Sequence, residues 1–522
     1  MTSCILALSL ALGANGTDEA RKVATRVDEL IASGYVNAKV KPAPLADDAA
    51  FHRRLSLDLW GRIPSVPDAR KFLADTSPEK RARLAERLLD GIGYSNHMTN
   101  IWLDLLLPEA RSDQQKRFLL ISMDRWLRRQ FAENAPFDRM ARDLVALPLE
   151  RRSAIEYYQD TFRAGAKPSP DSFYLAKLGK PDDLAASVAR LFLGVRLECA
   201  QCHDHPFGKW KREEFWSQAA FFAGVKGPSD TFNGFLSEVS DRREIAIPNT
   251  ERIAQARFLD GKSPKWKFKT GARTTYAEWL TRKDNPFFAR ALVNRMWAHF
   301  FGIGLVDPVD DLVEDNPASH PEVLDLLAKE FADHDFDLKF LIKAIVLTRT
   351  YQLSSKVPAG EAAPDVRLFA RMPVRGLTAD QLYDSILEAS GTRDRSDVQQ
   401  RAFSVGLPRQ IFQEQFAEQE RKTEHHTAIP QALAMMNSPL IAEATHPDRG
   451  RLLGAVADAP FLDARGKIEA LFLATLSRKP TPAEASRLLA HVNKGGTKAT
   501  ERKALSDVLW ALLNSTEFLF NH

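Results

Sequence analysis

The sequence predicts a mainly α chain: two helical domains joined by a loop-rich connector with a small β element. Apolar residues recur at helical spacing in segments whose ends carry capping signals. The middle of the chain breaks that pattern with Pro, Gly and short extended-looking runs. The 522 residues are 44% hydrophobic and 27% charged, ordinary globular composition with material for about two to four domains. Disorder of the whole chain, collagen and a small disulfide scaffold are excluded.

The chain opens Met1-Thr-Ser-Cys4, then an apolar run over 5–12, then Gly13-Ala-Asn-Gly16 and charged residues from Asp18. That is the shape of a secretory signal peptide over residues 1–16, although no Lys or Arg precedes the run. The run is too short to span a bilayer, and no later stretch reaches ~18 apolar residues. The expectation is an exported protein of the periplasm or cell envelope, without a transmembrane span.

Residues 17–226 read as the first helical domain. Ser77-Pro78 opens a segment with Leu84, Leu88 and Leu89 on one side, ending at Gly91. Lys180-Pro181-Asp182 opens another through Leu184, Val188, Leu191 and Phe192 to Gly194, and an aromatic helix with Phe215, Trp216, Phe221 and Phe222 closes the domain. Residues 227–284 read as the connector. There Pro228, Pro248 and Pro264 interrupt the chain, Glu244-Ile-Ala-Ile247 looks extended, and Trp266-Lys-Phe-Lys269 alternates like an exposed strand. Residues 285–522 read as the second helical domain. Asn285-Pro286 opens a helix to Gly302, Ser319-His-Pro-Glu322 and Thr378-Ala-Asp-Gln381 are capping boxes, and Leu505, Leu509, Leu512 and Leu513 mark the closing helix. Asp58 and Arg54, four apart, are expected to form a helical ion pair, and Arg295 and His299 share one helix face.

A net charge of +4 spread over this length does not predict a nucleic-acid partner. The three cysteines are more informative, because Cys199-Ala-Gln-Cys202-His203 is the attachment signature of c-type haem. Two thiols three residues apart reach both vinyl groups on one porphyrin edge, and the following histidine faces the iron as proximal ligand. The expected cofactor is therefore haem c, bound by Cys199, Cys202 and His203. For the sixth ligand the sequence offers Met296, His299, Met435, Met436, His425 and His426. Three alternatives stand beside haem: zinc on the thiols with His203 and His205, a redox dithiol, and a structural disulfide.

The blocks Phe51-His-Arg-Arg-Leu-Ser-Leu-Asp-Leu-Trp-Gly-Arg-Ile-Pro64, Phe72-Leu-Ala-Asp75 and Cys199-Ala-Gln-Cys-His-Asp-His-Pro-Phe207 resemble the DUF1549 domain, also called planctomycete cytochrome-like domain 2. Asn285-Pro-Phe-Phe-Ala-Arg290, Val293-Asn-Arg-Met-Trp297, Phe301-Gly-Ile-Gly-Leu-Val306, Tyr351-Gln-Leu-Ser-Ser355 and Asn514-Ser-Thr-Glu-Phe518 resemble its usual partner, DUF1553. The resemblance implies export and two domains, and its name carries the cytochrome-like motif without assigning a reaction. The functional expectation is an exported c-type cytochrome-like protein, serving electron transfer or haem-linked oxidation. Its partner would be a redox protein or a small organic substrate. The alternative is a non-redox binding or assembly protein in which the motif holds zinc or a disulfide.

Overall fold

The computed structural model describes residues 2–149, 152–163, 165, 167–204, 210–227, 235–357, 363–392, 408–416, 435–436 and 438–522, with side chains of the first helix from residue 16 onward. About 60% of the chain is helical, and the 24 helices among the described residues are accompanied only by short strands. No helix among them is long and apolar enough to cross a membrane.

The first helix, Thr2–Ala38, runs unbroken through residue 16. Ala20, Val23, Val27, Ile31 and Tyr35, spaced three and four apart, are buried against helices Pro321–Asp333 and Leu338–Val346. Asp28 fixes the contact by accepting from the Arg349 and Thr350 amides at 2.6 and 3.0 Å. The start of the chain is thus packed on its second half.

The capping signals place most helices correctly. Asn285 accepts from the amides of Phe287 and Phe288, and helix Phe288–Phe301 stops at Gly302. The Thr378 and Gln381 box opens helix Ala379–Ser390, and Lys498–Leu513 is the long closing helix. The other box does not form. Helix Pro321–Asp333 is present, but the Ser319 hydroxyl donates to the Leu305 carbonyl at 3.2 Å instead of capping it.

In the middle, Glu244–Ala246 and Ile253–Gln255 pair as an antiparallel hairpin with Ile245 opposite Ala254. Phe235–Glu238 is the central strand of a second sheet, between Arg152–Ser153 and Val225–Lys226. The run Trp266-Lys-Phe-Lys269 is not a strand. Trp266 is covered by the Arg243 guanidinium, 4.2 Å from its ring centroid, while Phe268 is 90% exposed, so no neighbour supplies a ladder. The expected loop also contains a helix, Ala272–Leu280, whose N-cap Gly271 offers no side-chain signal.

Two apolar clusters organise these elements. One runs from Ala20 to Met372, and the other gathers residues between Leu382 and Phe518 together with Leu57 and Ile63. Helix Asp48–Trp60 lies between them: Phe51, Leu55 and Leu59 enter the first cluster and Leu57 the second. Every residue from 51 to 59 is buried, charged ones included, because neither face of this helix meets water.

His52 is one of these, 4.7 Å from the Phe72 ring. Burial, reinforced by Arg87, pushes its pKa down from 6.5 to about 4. The unfolded chain therefore takes up this proton first as pH falls. Stability is full above about pH 6.5 and declines towards pH 4, by on the order of 3 kcal/mol from this group. Urea denaturation across that window should show a flatter pH dependence for His52→Gln than for the wild type; equal slopes would refute the assignment.

Candidate cofactor-attachment site

The cysteine motif is delivered by a short sequence of local decisions. Helix Pro181–Val188 starts with Pro181 in its first turn, passes into one wider turn over Ala189–Leu193 and ends at Gly194. Gly194 has φ +66°, in the left-handed region that favours glycine, and a Cβ there would also press on the end of the Leu312 side chain. Val195 bridges to Asp311, and the Leu312 amide donates to the Gly194 carbonyl at 2.9 Å. One 3₁₀ turn, Glu198–Gln201, then carries the first cysteine.

That turn is held by groups other than its cysteines. Ala200 is buried beneath it. Gln201 donates from Nε2 to Asp182 at 2.8 Å, and its carbonyl accepts from Trp216 Nε1 at 3.0 Å. The Asp204 carboxylate accepts from the Arg212 amide at 2.9 Å and from Lys211 Nζ at 3.3 Å, contacts that hold its pKa below the usual carboxylate range. Cys199 and Cys202 are free thiols, and both are exposed, as is His203. His203 Nδ1 lies 2.7 Å from the Asp204 carbonyl oxygen. A carbonyl only accepts, so Nδ1 carries the proton and Nε2 of the neutral ring keeps a lone pair.

Two family models match the chain. PSCyt2, a protein of unknown function (DUF1549), covers residues 26–227, and PSD1, a protein of unknown function (DUF1553), covers residues 272–422. The chain is a DUF1549–DUF1553 protein. No curated protein and no solved structure matches it.

In this DUF1549–DUF1553 protein the aromatic helix after the motif is core. Phe215, Trp216, Phe221 and Phe222 are all buried, and Phe221 stacks on Phe258 and Tyr276 at 5.3 and 4.7 Å. The donor set suits covalent attachment: two accessible thiols on adjacent turns and an imidazole with a free ring nitrogen. No disulfide joins the cysteines. No three His, Cys, Asp or Glu residues gather around a metal position among the described residues, and His205 of the zinc alternative lies outside them.

The sixth-ligand candidates are scattered. Met296 is sealed in the first cluster and Met435 in the second, whereas Met436 is 46% exposed. His299 points Nε2 at the Asp58 carbonyl oxygen, 2.9 Å away. His425 and His426 lie outside the described residues. On the same helix as His299, Arg295 pairs with Asp310, and Asn294 holds Val306 and Val309, so this polar face ties loops down.

A second polar centre was not legible as such. Asp58 does not form the expected pair with Arg54. It accepts from Arg375 on both oxygens at 2.9 Å, from Asn521 at 2.8 Å and from the Tyr351 hydroxyl at 2.8 Å. Arg54 instead donates to the carbonyls of Tyr351 and Leu353. The partners of both come from distant segments, which i,i+4 spacing does not reveal. The available signal was four ionisable residues within 51–59 on a helix otherwise apolar on both sides.

Proposed function

We propose that the turn at 199–203 is a covalent haem-attachment site and that the protein is an exported electron carrier. The observation that carries this reading is the His203 imidazole, whose Nδ1–H is committed to the Asp204 carbonyl beside two exposed thiols. Histidines that ligate metals characteristically spend their other ring nitrogen in this way. Each thiol would add across one vinyl group, sulfur bonding one carbon and hydrogen the other, with nothing leaving. His203 Nε2 would supply the proximal ligand, while the clamp of Gln201 and Asp204 on helix Arg212–Ala219 keeps the turn in place. Bound haem would provide a one-electron couple. The apolar run at 5–12 supports export, and burial of the first helix is already established at Thr17, just past residue 16.

Protein matured in a host competent for cytochrome c assembly should retain haem stain after denaturation, near one haem per chain. Cys199→Ser/Cys202→Ser should be colourless while melting like the wild type. A colourless wild type, stain retained by the double variant, or one equivalent of bound zinc would overturn the proposal.

A further inference from the structure

The run Trp266-Lys-Phe-Lys269 belongs to a loop over residues 257–271, between the two family segments, that has an anchored side and a bare one. Phe258 stacks on Trp279 with ring centroids 4.8 Å apart, and Trp266 packs against Phe221 beneath the Arg243 guanidinium. Phe268 does the opposite. The Thr270 amide donates to the Lys267 carbonyl at 3.2 Å, so Phe268 and Lys269 take the two corners of a tight turn. Lys269 holds φ +58°, a left-handed conformation that a residue with a Cβ enters at a cost. At the tip, Phe268 is the most exposed large apolar side chain among the described residues.

The loop is also the place where positive charge accumulates. It carries five cations, Arg257, Lys262, Lys265, Lys267 and Lys269, and one carboxylate, Asp260. Asp260 pairs with Lys262 at 3.1 Å, and Glu278 of the following helix pairs with Lys267 at 2.7 Å. Arg257, Lys265 and Lys269 are exposed and form no ion pair among the described residues, which leaves the loop an excess of three. The adjoining hairpin is balanced, Asp241, Glu244 and Glu251 against Arg242, Arg243 and Arg252. Arg252 also engages Glu213, and beyond the loop Arg282 pairs with Asp284 and Lys283 with Asp335. One bare aromatic ring therefore stands among cations that have no counter-charge of their own.

We propose that this loop is a reversible anchor for an anionic lipid surface. The Phe268 ring enters the boundary between headgroups and acyl chains, and Lys265 and Lys269 lay their alkyl stems beside it with the ammonium groups at lipid phosphates. A protruding turn with a single ring offers a soluble acidic partner little area to cover, whereas a lipid surface yields around it. One ring with three free cations gives weak, salt-sensitive association rather than insertion. The loop is separate from the cysteine turn, so the test reads the same with or without haem.

Sedimentation of the full chain with vesicles tests it, using equal parts phosphatidylglycerol and phosphatidylcholine against phosphatidylcholine alone. The anionic vesicles should bind about tenfold or more tighter at about 0.1 M salt, and lose the chain as salt rises towards 1 M. Lys265→Gln/Lys269→Gln should weaken binding about twentyfold, and Phe268→Ala about tenfold. Phe461→Ala removes another exposed ring outside the loop and should change nothing. All three variants should melt like the wild type. Equal binding to both vesicles, undiminished binding by either loop variant, or retention on soluble heparin without vesicle binding would overturn the proposal.

Discussion

Asp58→Ala is expected to lower the stability of the chain by about 3–5 kcal/mol, the cost of leaving a buried charge without its partner. Asp58 is 1% exposed and accepts from three side chains that arrive from separate parts of the sequence. Its loss strands the Arg375 guanidinium, which is equally buried, and leaves the Tyr351 hydroxyl and the Asn521 amide without their acceptor. Asp58→Asn keeps the shape but removes the charge, so it should fall between Ala and wild type. Because Tyr351 belongs to the first cluster and Asn521 follows the second, the Ala variant should also broaden the urea transition. Arg282→Ala is the control. Its pair with Asp284 is mostly exposed and screened by solvent, so its loss should barely move the midpoint. Equal midpoints for Asp58→Ala and the control would sink the argument.

Arg273→Met is expected to be comparably damaging, by about 3–5 kcal/mol. Arg273 is 2% exposed and sits at the start of the helix Ala272–Leu280. It donates to Glu238 on the central strand, to the Tyr174 hydroxyl at 2.8 Å, and to the carbonyls of Val145 and Leu147 at 3.0 and 2.8 Å. One guanidinium therefore joins the strand, the unpredicted helix and the end of helix Phe137–Val145. Methionine retains much of the side-chain length and leaves Glu238 nearly buried without its counter-charge. A double-mutant cycle with Glu238→Gln should return a coupling energy of about 1 kcal/mol or more, since the second substitution relieves the stranded carboxylate. Additive losses would mean that the pair does not hold the connector.

These two residues mark where sequence reasoning stops. Helix ends were legible at Asn285 and Thr378, where a local group makes the cap. They were misread where a distant carbonyl competes for the cap, as Leu305 does for Ser319. The cysteine motif is local by contrast: its five residues are adjacent, and Cys199 and Cys202 lie exposed at one short turn. Asp58 is not local: its spacing from Arg54 suggested a local pair, and its actual partners are 293 or more positions away. Helix Ala272–Leu280 escaped because burial, rather than a capping side chain, stabilises it.

The first apolar cluster also bears on how such a protein is inherited. Its members run from Ala20 to Met372 and so cross from the DUF1549 segment into the DUF1553 segment, with the Thr2–Ala38 helix packed on the latter. The two family segments therefore share apolar packing across the connector. A gene break between residues 227 and 272 would give two products, each with half an interior turned to water.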